Sequence, residues 1–225
     1  MSRLNPRTTD PLVGLCGGIG CGKSAAAEYL TQEYGFREYS FAMKLKLDCI
    51  ALYDIPEENI FGTQAQKMAP LPHLGTVSAA TAGMGDPWPD RVGEPWCARW
   101  VLEWQGTNAC RTVWDPVWLN VVRKAVEHAR WGAAFHQKND PFEPDHRAVI
   151  SDVRFQNEAD MVRDMGGILV RVEQEGAVLA STGHASDGWH TEAEVDFRAI
   201  APKPGLDILY RELDKIMGRY AVSRR

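Results

Sequence analysis

Gly17-Gly18-Ile19-Gly20-Cys21-Gly22-Lys23-Ser24 lies between an apolar run, Leu12-Val13-Gly14-Leu15-Cys16, and a helix-forming segment, Ala25-Ala26-Ala27-Glu28-Tyr29-Leu30. This order predicts a strand, a glycine-rich turn and the start of a helix, which is the setting of a phosphate-binding loop (P-loop). Glycines leave room for backbone N–H groups to surround a phosphate, and the helix N-terminus adds a partial positive charge. We therefore predict that this loop binds the phosphate chain of a nucleotide.

Each residue type in the loop has a predicted role. The backbone at Gly18, Gly20 and Gly22 would line the phosphates, Lys23 would reach the β- and γ-phosphates, and the Ser24 hydroxyl would bind Mg²⁺. Two other interpretations are a glycine-rich surface loop and a dinucleotide fingerprint. The dinucleotide fingerprint fits Gly20-Cys21-Gly22-Lys23-Ser24-Ala25, with Glu38 as the ribose-binding acid. It does not, however, explain why Lys23 and Ser24 stand side by side, whereas triphosphate binding does.

Length and charge limit the classes of protein to consider. The chain has 225 residues, of which 44% are hydrophobic, so we expect one well-buried domain spanning 1–225 with a lid or insert. A formal net charge of −5 argues against direct binding to nucleic acid or to a membrane surface. Any attraction for phosphate must therefore come from individual basic residues.

Cysteine usage bears on the compartment. The 5 cysteines are odd in number and form no C-x-x-C pair, as expected for reduced thiols rather than for a disulfide framework or a zinc site. The first residues are polar, and no apolar run reaches the length of a membrane span. We expect a cytoplasmic protein.

Alternating strand and helix patterns predict a three-layer α/β fold with a mostly parallel sheet of about five strands. The first helix should end at Gly35, a second strand should follow at 36–40, and a helix should run from Phe41 to about Tyr53. Further strands are predicted at 147–153, 168–172 and 197–200, with helices after residue 115, from Asn157 and from about Gly205.

The middle of the chain is less regular. Prolines and glycines interrupt residues 56–95, which we interpret as an irregular insert that closes over a substrate or forms a surface excursion. Trp96, Trp100 and Trp104 then recur every four residues, which predicts a helix with a core-facing row of indoles. A break is expected from Gly106 to Arg111.

A second informative segment is Arg147-Ala148-Val149-Ile150-Ser151-Asp152-Val153-Arg154. A buried parallel strand here would deliver Asp152 to the sheet edge beside the P-loop, where it could hold Mg²⁺ through water or orient an attacking oxygen. The alternative is an acid that caps a helix or turn. Arg154 could clamp a phosphate, and Arg171 from the next strand should reach the same edge and bind the phosphates of the nucleotide cofactor. Lys44 and Lys46 are further candidate phosphate contacts, although most lysines on helices are simply exposed to solvent.

Together these segments resemble the bacteriophage deoxynucleoside monophosphate kinases. The resemblance rests on the P-loop, Gly106-Thr107 with Arg111 and Trp118, Ser151-Asp152-Val153-Arg154-Phe155-Gln156-Asn157-Glu158-Ala159, Gly166-Gly167 with Val170-Arg171-Val172, and His190-Thr191-Glu192. It covers most of the chain but skips the proline-rich insert. The D-V-R-F-x-N-E-A segment is its most specific part.

The resemblance implies transfer of the γ-phosphoryl group of ATP, with Mg²⁺, to a deoxynucleoside 5′-monophosphate (dNMP), giving the diphosphate (dNDP). Gly22, Lys23 and Ser24 would hold the ATP phosphates, and Arg154 would contact the acceptor nucleotide. The resemblance also implies roles near the acceptor or lid for Arg111, Arg171, Thr191 and Glu192, with residues 173–195 as a lid or substrate loop. The resemblance also implies that the protein acts in the host cytoplasm. It leaves undecided whether the chain forms a homodimer.

The chain also departs from the family pattern. Where the family often has F-A-D-x-L-K, this chain has Phe41-Ala42-Met43-Lys44-Leu45-Lys46, and Asn108 replaces a glutamate after Gly-Thr. The P-loop also resembles that of dephospho-coenzyme A kinase, which is the nearest alternative enzyme. A nucleotide-dependent switch and a catalytically idle P-loop domain are alternatives from other classes, although no N-K-x-D base reader is present.

Overall fold

A computed structural model of the chain describes residues 11–18, 20–82, 88–136, 146–176, 189–220 and 222. Within these ranges, only the backbone is described at residues 81, 82, 88, 89, 131–136, 190 and 192. Ile19 of the P-loop and residues 177–188 of the predicted lid therefore lie outside the description.

Strands and helices alternate along the chain. The strands are β1 (Leu12–Cys16), β2 (Arg37–Tyr39), β3 (Ala148–Ile150), β4 (Ile168–Gln174) and β5 (Phe197–Ala201). The longer helices are α1 (Lys23–Tyr34), α2 (Phe41–Tyr53), α7 (Val117–His136), α8 (Gln156–Asp164) and α10 (Leu206–Arg219). Short helices are α3 (Glu57–Phe61), α4 (Gln64–Met68), α5 (Ala79–Ala82), α6 (Ala98–Glu103) and α9 (Trp189–Glu192). Two 3₁₀ turns (Pro72–Leu74 and Trp88–Arg91) and a π-helix (Trp104–Arg111) complete the order.

All five strands form one parallel sheet in the order β2-β3-β1-β4-β5. Parallel strands need crossovers, and the intervening helices supply them. The predicted α/β fold with a five-stranded parallel sheet is confirmed. β1 is central, and the P-loop follows its carboxyl end, where parallel sheets collect ligands.

Both faces of the sheet are covered, so the arrangement has three layers. On one face, Val13 and Leu15 of β1 pack in a core with buried residues of α1 and α10. On the other face Gly14 allows close approach: a Cβ at this position would lie 2.9 Å from Leu169 Cδ2 and 3.0 Å from Val162 Cγ2 of α8. The alternation of side chains along β1 therefore divides its residues between the two helical layers.

The chain divides into two compact units, the first formed by the described parts of Met1–Phe41 and Val121–Arg225 and the second by Ala42–Asn120. The sheet lies in the first unit. The prediction that residues 1–225 form one kinase domain stays a prediction.

The second unit is built from short elements. Residues 56–95, predicted to be irregular, contain α3, α4, α5 and the 3₁₀ turns, with Ile60, Leu71 and Val77 buried. The predicted break at 106–111 is wrong, because the π-helix continues from α6 through Arg111. Gly106 allows this packing: a Cβ there would lie 2.6 Å from Leu45 Cδ2 of α2.

The row of indoles is only half-buried rather than fully in the core, and the Trp96 and Trp104 rings meet edge to face at 6.4 Å. The Arg91 guanidinium lies over the Trp100 ring, 4.6 Å from its centroid. This face of the helix therefore contacts a cation as well as other aromatic rings.

None of the helices in the described part of the chain has the length and hydropathy that a membrane crossing requires.

Candidate phosphate-binding site

The P-loop backbone depends on glycine at specific positions. Gly17 has φ 142°, and a Cβ there would lie 2.2 Å from the carbonyl oxygen of Val172 in β4. Gly20 and Gly22 also have positive φ, at 73° and 104°. These values are costly for other residues, so the glycines of the motif shape a loop that turns from β1 directly into α1.

Lys23 is the first residue of α1, and its side chain folds back over the loop. The ammonium donates hydrogen bonds to the carbonyl oxygens of Gly17 and Gly18, both at 2.7 Å, and approaches Cys21 Sγ at 3.7 Å. Burial lowers the pKa of Lys23 below its ordinary value; the nearby Cys21 opposes this shift, and the positive charge of Arg154 adds to it. The loop therefore holds a partly desolvated cation near a second cation.

Arg154 follows β3 and precedes α8. Its side chain is exposed, and the guanidinium has no hydrogen-bond partner in the described part of the chain. The Val153 N–H donates to the Leu15 carbonyl at 3.1 Å, which ties this segment to the end of β1. Two positive charges therefore lie near each other at the carboxyl end of the sheet, an arrangement that suits a polyanion.

Buried Glu158 fixes the backbone that carries Arg154. One of its carboxylate oxygens accepts hydrogen bonds from the N–H groups of Arg154, at 2.7 Å, and Phe155, at 3.2 Å. These bonds satisfy N–H groups at the start of α8. The positive end of the helix dipole also stabilises the negative charge of Glu158. The helix was predicted to begin at Asn157, whereas α8 begins at Gln156. An acid at the third helical position is a signal in the sequence that could have revealed the role of Glu158.

Asp152 also lies just after β3, as predicted. Its two carboxylate oxygens accept hydrogen bonds from the Ser40 hydroxyl at 2.7 Å and the Phe41 N–H at 2.8 Å. The acid thus caps the first residue of α2, which was the alternative interpretation of this position.

Ser24 lies in the first turn of α1 with an exposed side chain. An exposed hydroxyl beside the loop lysine suits Mg²⁺, which prefers oxygen ligands and keeps several of its waters when it binds beside phosphates. Among the described residues, no three His, Cys, Asp or Glu side chains form a metal-binding group. The protein ligand that fits Mg²⁺ best is therefore Ser24.

Arg171 is in β4 opposite Cys16 in the register of the sheet. It is only 5% exposed, and its guanidinium donates to the carbonyl oxygens of Thr191, at 3.2 Å, and Ala193. Burial raises the pKa of Cys16 to about 11, although the charge of Arg171 and its hydrogen bond to the thiol act in the opposite direction. The guanidinium is therefore bound by the protein itself.

The remaining predicted residues fall in two places. Thr191 and Glu192 form the last turn of α9 in the first unit, where the Thr191 side chain is exposed and only the backbone of Glu192 is described. Lys46 and Arg111 belong to the second unit. There Lys46 lies 5.4 Å from the centroid of the Phe61 ring, and Arg111 pairs with Asp115 at 3.4 Å.

No protein-family model matches the chain. A protein of Acanthamoeba polyphaga mimivirus named "Putative deoxynucleotide monophosphate kinase" is 36% identical to it over 192 residues, covering 84% of this chain and 83% of the relative. The chain belongs to the deoxynucleotide monophosphate kinase family. The relative is viral, and the bacteriophage origin suggested by the motifs stays a prediction for this family member.

A crystal structure of TT1252 from Thermus thermophilus aligns with 93% of this family member and with 97% of its own chain. The identity is 14% and the TM-score 0.39, so no functional conclusion follows from the likeness.

Proposed function

We propose that this chain transfers the γ-phosphoryl group of ATP to a dNMP and releases ADP and dNDP. Family membership supports a kinase acting on nucleotides. The P-loop geometry and the nearby Arg154 support phosphoryl transfer, because this reaction depends mainly on positioned positive charge rather than on a covalent nucleophile.

The P-loop would hold the triphosphate of ATP. Backbone N–H groups around Gly18, Gly20 and Gly22 line the phosphates in this proposal, and the Lys23 ammonium exchanges the carbonyl oxygens of its own loop for phosphate oxygens. That exchange pairs a partly desolvated cation with an anion, which favours its charged form. Ser24 would hold Mg²⁺, which neutralises phosphate charge when bound.

The acceptor would bind on the side of Arg154. Its exposed guanidinium can hold a phosphate through two parallel hydrogen bonds, and Glu158 keeps its backbone in place. Asp152 would act through water on Mg²⁺ or on the attacking oxygen, since both of its carboxylate oxygens already accept hydrogen bonds from the protein. Lys46, Arg111, Thr191 and Glu192 remain proposed acceptor or lid contacts.

One observation carries the proposal: in a member of this family, Lys23 and Arg154 follow the neighbouring strands β1 and β3, and burial together with the positive charge of Arg154 lowers the pKa of Lys23. Like charges repel each other, so an anion bound by both side chains lowers the free energy of both. A phosphate group passing from ATP to a dNMP is such an anion. We further propose that the enzyme acts on free nucleotides in the cytoplasm.

A coupled assay of ADP release tests the proposal. The purified chain, ATP and Mg²⁺ are screened with every deoxy- and ribonucleoside monophosphate and with dephospho-coenzyme A. We expect ADP release that depends on at least one dNMP. Release only with dephospho-coenzyme A would identify the alternative kinase, and release without any acceptor would indicate an ATPase.

A further inference from the structure

Arg171 uses both Nη atoms of its guanidinium for contacts within the protein. They reach the carbonyl oxygens of Thr191 and Ala193 and the Glu173 carboxylate at 3.4 Å, whereas the buried Nε has no hydrogen-bond partner in the described part of the chain. The side chain is 6% exposed. A buried guanidinium held in this way would have to lose carbonyl contacts before it could bind a phosphate, and an unpaired buried carbonyl is costly.

The two carbonyl groups belong to α9 and the residue after it. This short helix is too small to be stable by itself, so its position depends on what holds it. A second contact comes from α8, where Gln156 Oε1 accepts a hydrogen bond from the Trp189 indole at 3.3 Å. After the helix, the Asp196 carboxylate accepts from the Leu169 N–H at 2.8 Å. The described part of the predicted lid is therefore fixed to β4 and α8.

These contacts join α9 to the two elements next to the proposed acceptor site. Gln156, which binds Trp189, is the first residue of α8 and lies two positions after Arg154. Arg171, which binds the other end of α9, pairs in register with Cys16 at the end of β1, directly before the P-loop. The exposed side chain of Thr191 is thus carried by a helix that is attached to α8 and to β4.

We infer that Arg171 is a positioning residue: it fixes α9 as a wall of the acceptor site and does not itself contact the phosphates of ATP. This inference rests on the proposed function and replaces the predicted contact between Arg171 and the cofactor. Arginine suits the task because its planar fork reaches two carbonyl oxygens at once, which the single ammonium of lysine cannot do in the same geometry.

Kinetics of Arg171→Lys and Arg171→Met separate the two roles. If Arg171 positions α9, both variants should raise the KM for dNMP by about tenfold while the KM for ATP changes less than about twofold, because a small displacement of a binding wall has effects of this order. If Arg171 bound ATP, lysine would largely replace it, methionine would not, and the KM for ATP would rise. Arg198→Lys is the matched control, since exposed Arg198 lies opposite Arg171 on β5 and also faces Glu173, at 3.9 Å.

Amide hydrogen exchange tests whether Arg171 holds α9 in place, and it does so without measuring enzyme activity. In the ligand-free protein, Arg171→Lys should speed exchange of the Ala193 and Asp196 amides by about tenfold and leave the amides of α1 unchanged, because local opening depends on local contacts. Trp189→Phe removes the other contact while keeping an aromatic ring. Since either loss loosens the same helix, the KM effects of Arg171→Lys and Trp189→Phe should combine to less than their product.

The outcomes distinguish this inference from the proposed function. Unchanged exchange after residue 189, multiplicative KM effects, or rescue of ATP binding by lysine would overturn the positioning role while the wild-type chain still phosphorylates dNMP. A wild-type chain without dNMP-dependent turnover would overturn the proposed function, and the acceptor-site role of α9 with it. Faster exchange together with a selective rise in the KM for dNMP would support both.

Discussion

The sheet unit and the unit formed by Ala42–Asn120 place their charged side chains in different ways. In the sheet unit, Lys23 follows the buried strand β1 through the P-loop, and Arg154 follows the buried strand β3 after a short turn, so the sheet fixes the position of both backbone segments. In the second unit, Lys46 lies on α2 and Arg111 ends a π-helix. The position of a functional side chain can thus be predicted from the sequence where it follows a strand of the sheet. Such a prediction is much harder where the side chain lies among short helices.

The sharpest contrast is between Lys23 and a lysine of the second unit. Lys23→Ala should reduce kcat by about 10³-fold, because it removes the cation at the phosphates. Lys67→Ala is the control, since Lys67 lies in the last turn of the short helix α4 in the second unit. Steady-state ADP release measures both. Near-normal turnover of Lys23→Ala would remove the P-loop from the mechanism.

Each unit has a glycine at which a Cβ would clash with its neighbours, Gly17 in the sheet unit and Gly106 in the second unit. Gly17→Ala forces a Cβ against the Val172 carbonyl at a positive φ, so we expect a loss of activity of about 10²-fold and a lower Tm. Gly106→Ala meets only the end of the Leu45 side chain, which can move. That variant should cost about 1–3 kcal/mol of stability and keep most of the activity.

Thermal unfolding and initial rates distinguish these results. Equal loss of activity in the two variants would mean that the π-helix contributes to catalysis as directly as the P-loop does.

Arg154→Ala should raise the KM for dNMP about tenfold or more and the KM for ATP much less, because a bidentate phosphate contact is lost on the acceptor side. Arg211→Ala is the control, since exposed Arg211 pairs with Asp207 within α10. Titrating each substrate at saturation of the other measures the split. An ATP-specific effect of Arg154→Ala would assign this residue to the P-loop side.

The smallest expected effect concerns two partly exposed thiols, one in each unit. Cys21 lies in the P-loop and Cys110 in the π-helix. Iodoacetamide at pH 8 should label both, with Cys110 reacting slowly because burial raises its pKa. Cys16 and Cys49 should stay unmodified because they are buried and burial raises their pKa values to about 11 and about 12. MgATP should slow labelling of Cys21 by about tenfold and leave Cys110 unchanged, as followed by peptide mass spectrometry. Equal protection of both thiols would argue against nucleotide binding specifically at the P-loop.

Much of the sheet unit could be predicted from the sequence. Runs of apolar residues predicted β1, β3 and β4. The glycines predicted both the turn into α1 and the end of that helix at Gly35, whose backbone is left-handed as at many helix ends. Strand ends were off by a few residues, because an apolar run does not show where the last ladder hydrogen bond forms.

The partners of polar side chains could not be predicted in the same way. Asp152 was expected at the sheet edge and is there, but its hydrogen bonds to Ser40 and Phe41 depend on a distance across strands that no local pattern encodes. The hydrogen bonds from Arg171 to the carbonyl oxygens of Thr191 and Ala193 could not be predicted for the same reason, since they join residues that lie far apart in the sequence. The π-helix was missed because Gly106 reads as a breaker, whereas its missing Cβ serves close packing against Leu45.

Transfer of label from [γ-³²P]ATP tests the central claim most directly. The wild-type chain and Lys23→Ala are incubated with the labelled ATP, Mg²⁺ and a mixture of dNMPs, and the products are separated by thin-layer chromatography. We expect label in dNDP with the wild-type chain and almost none with Lys23→Ala. Label that appears only as inorganic phosphate, or equally in dNDP with both proteins, would contradict it.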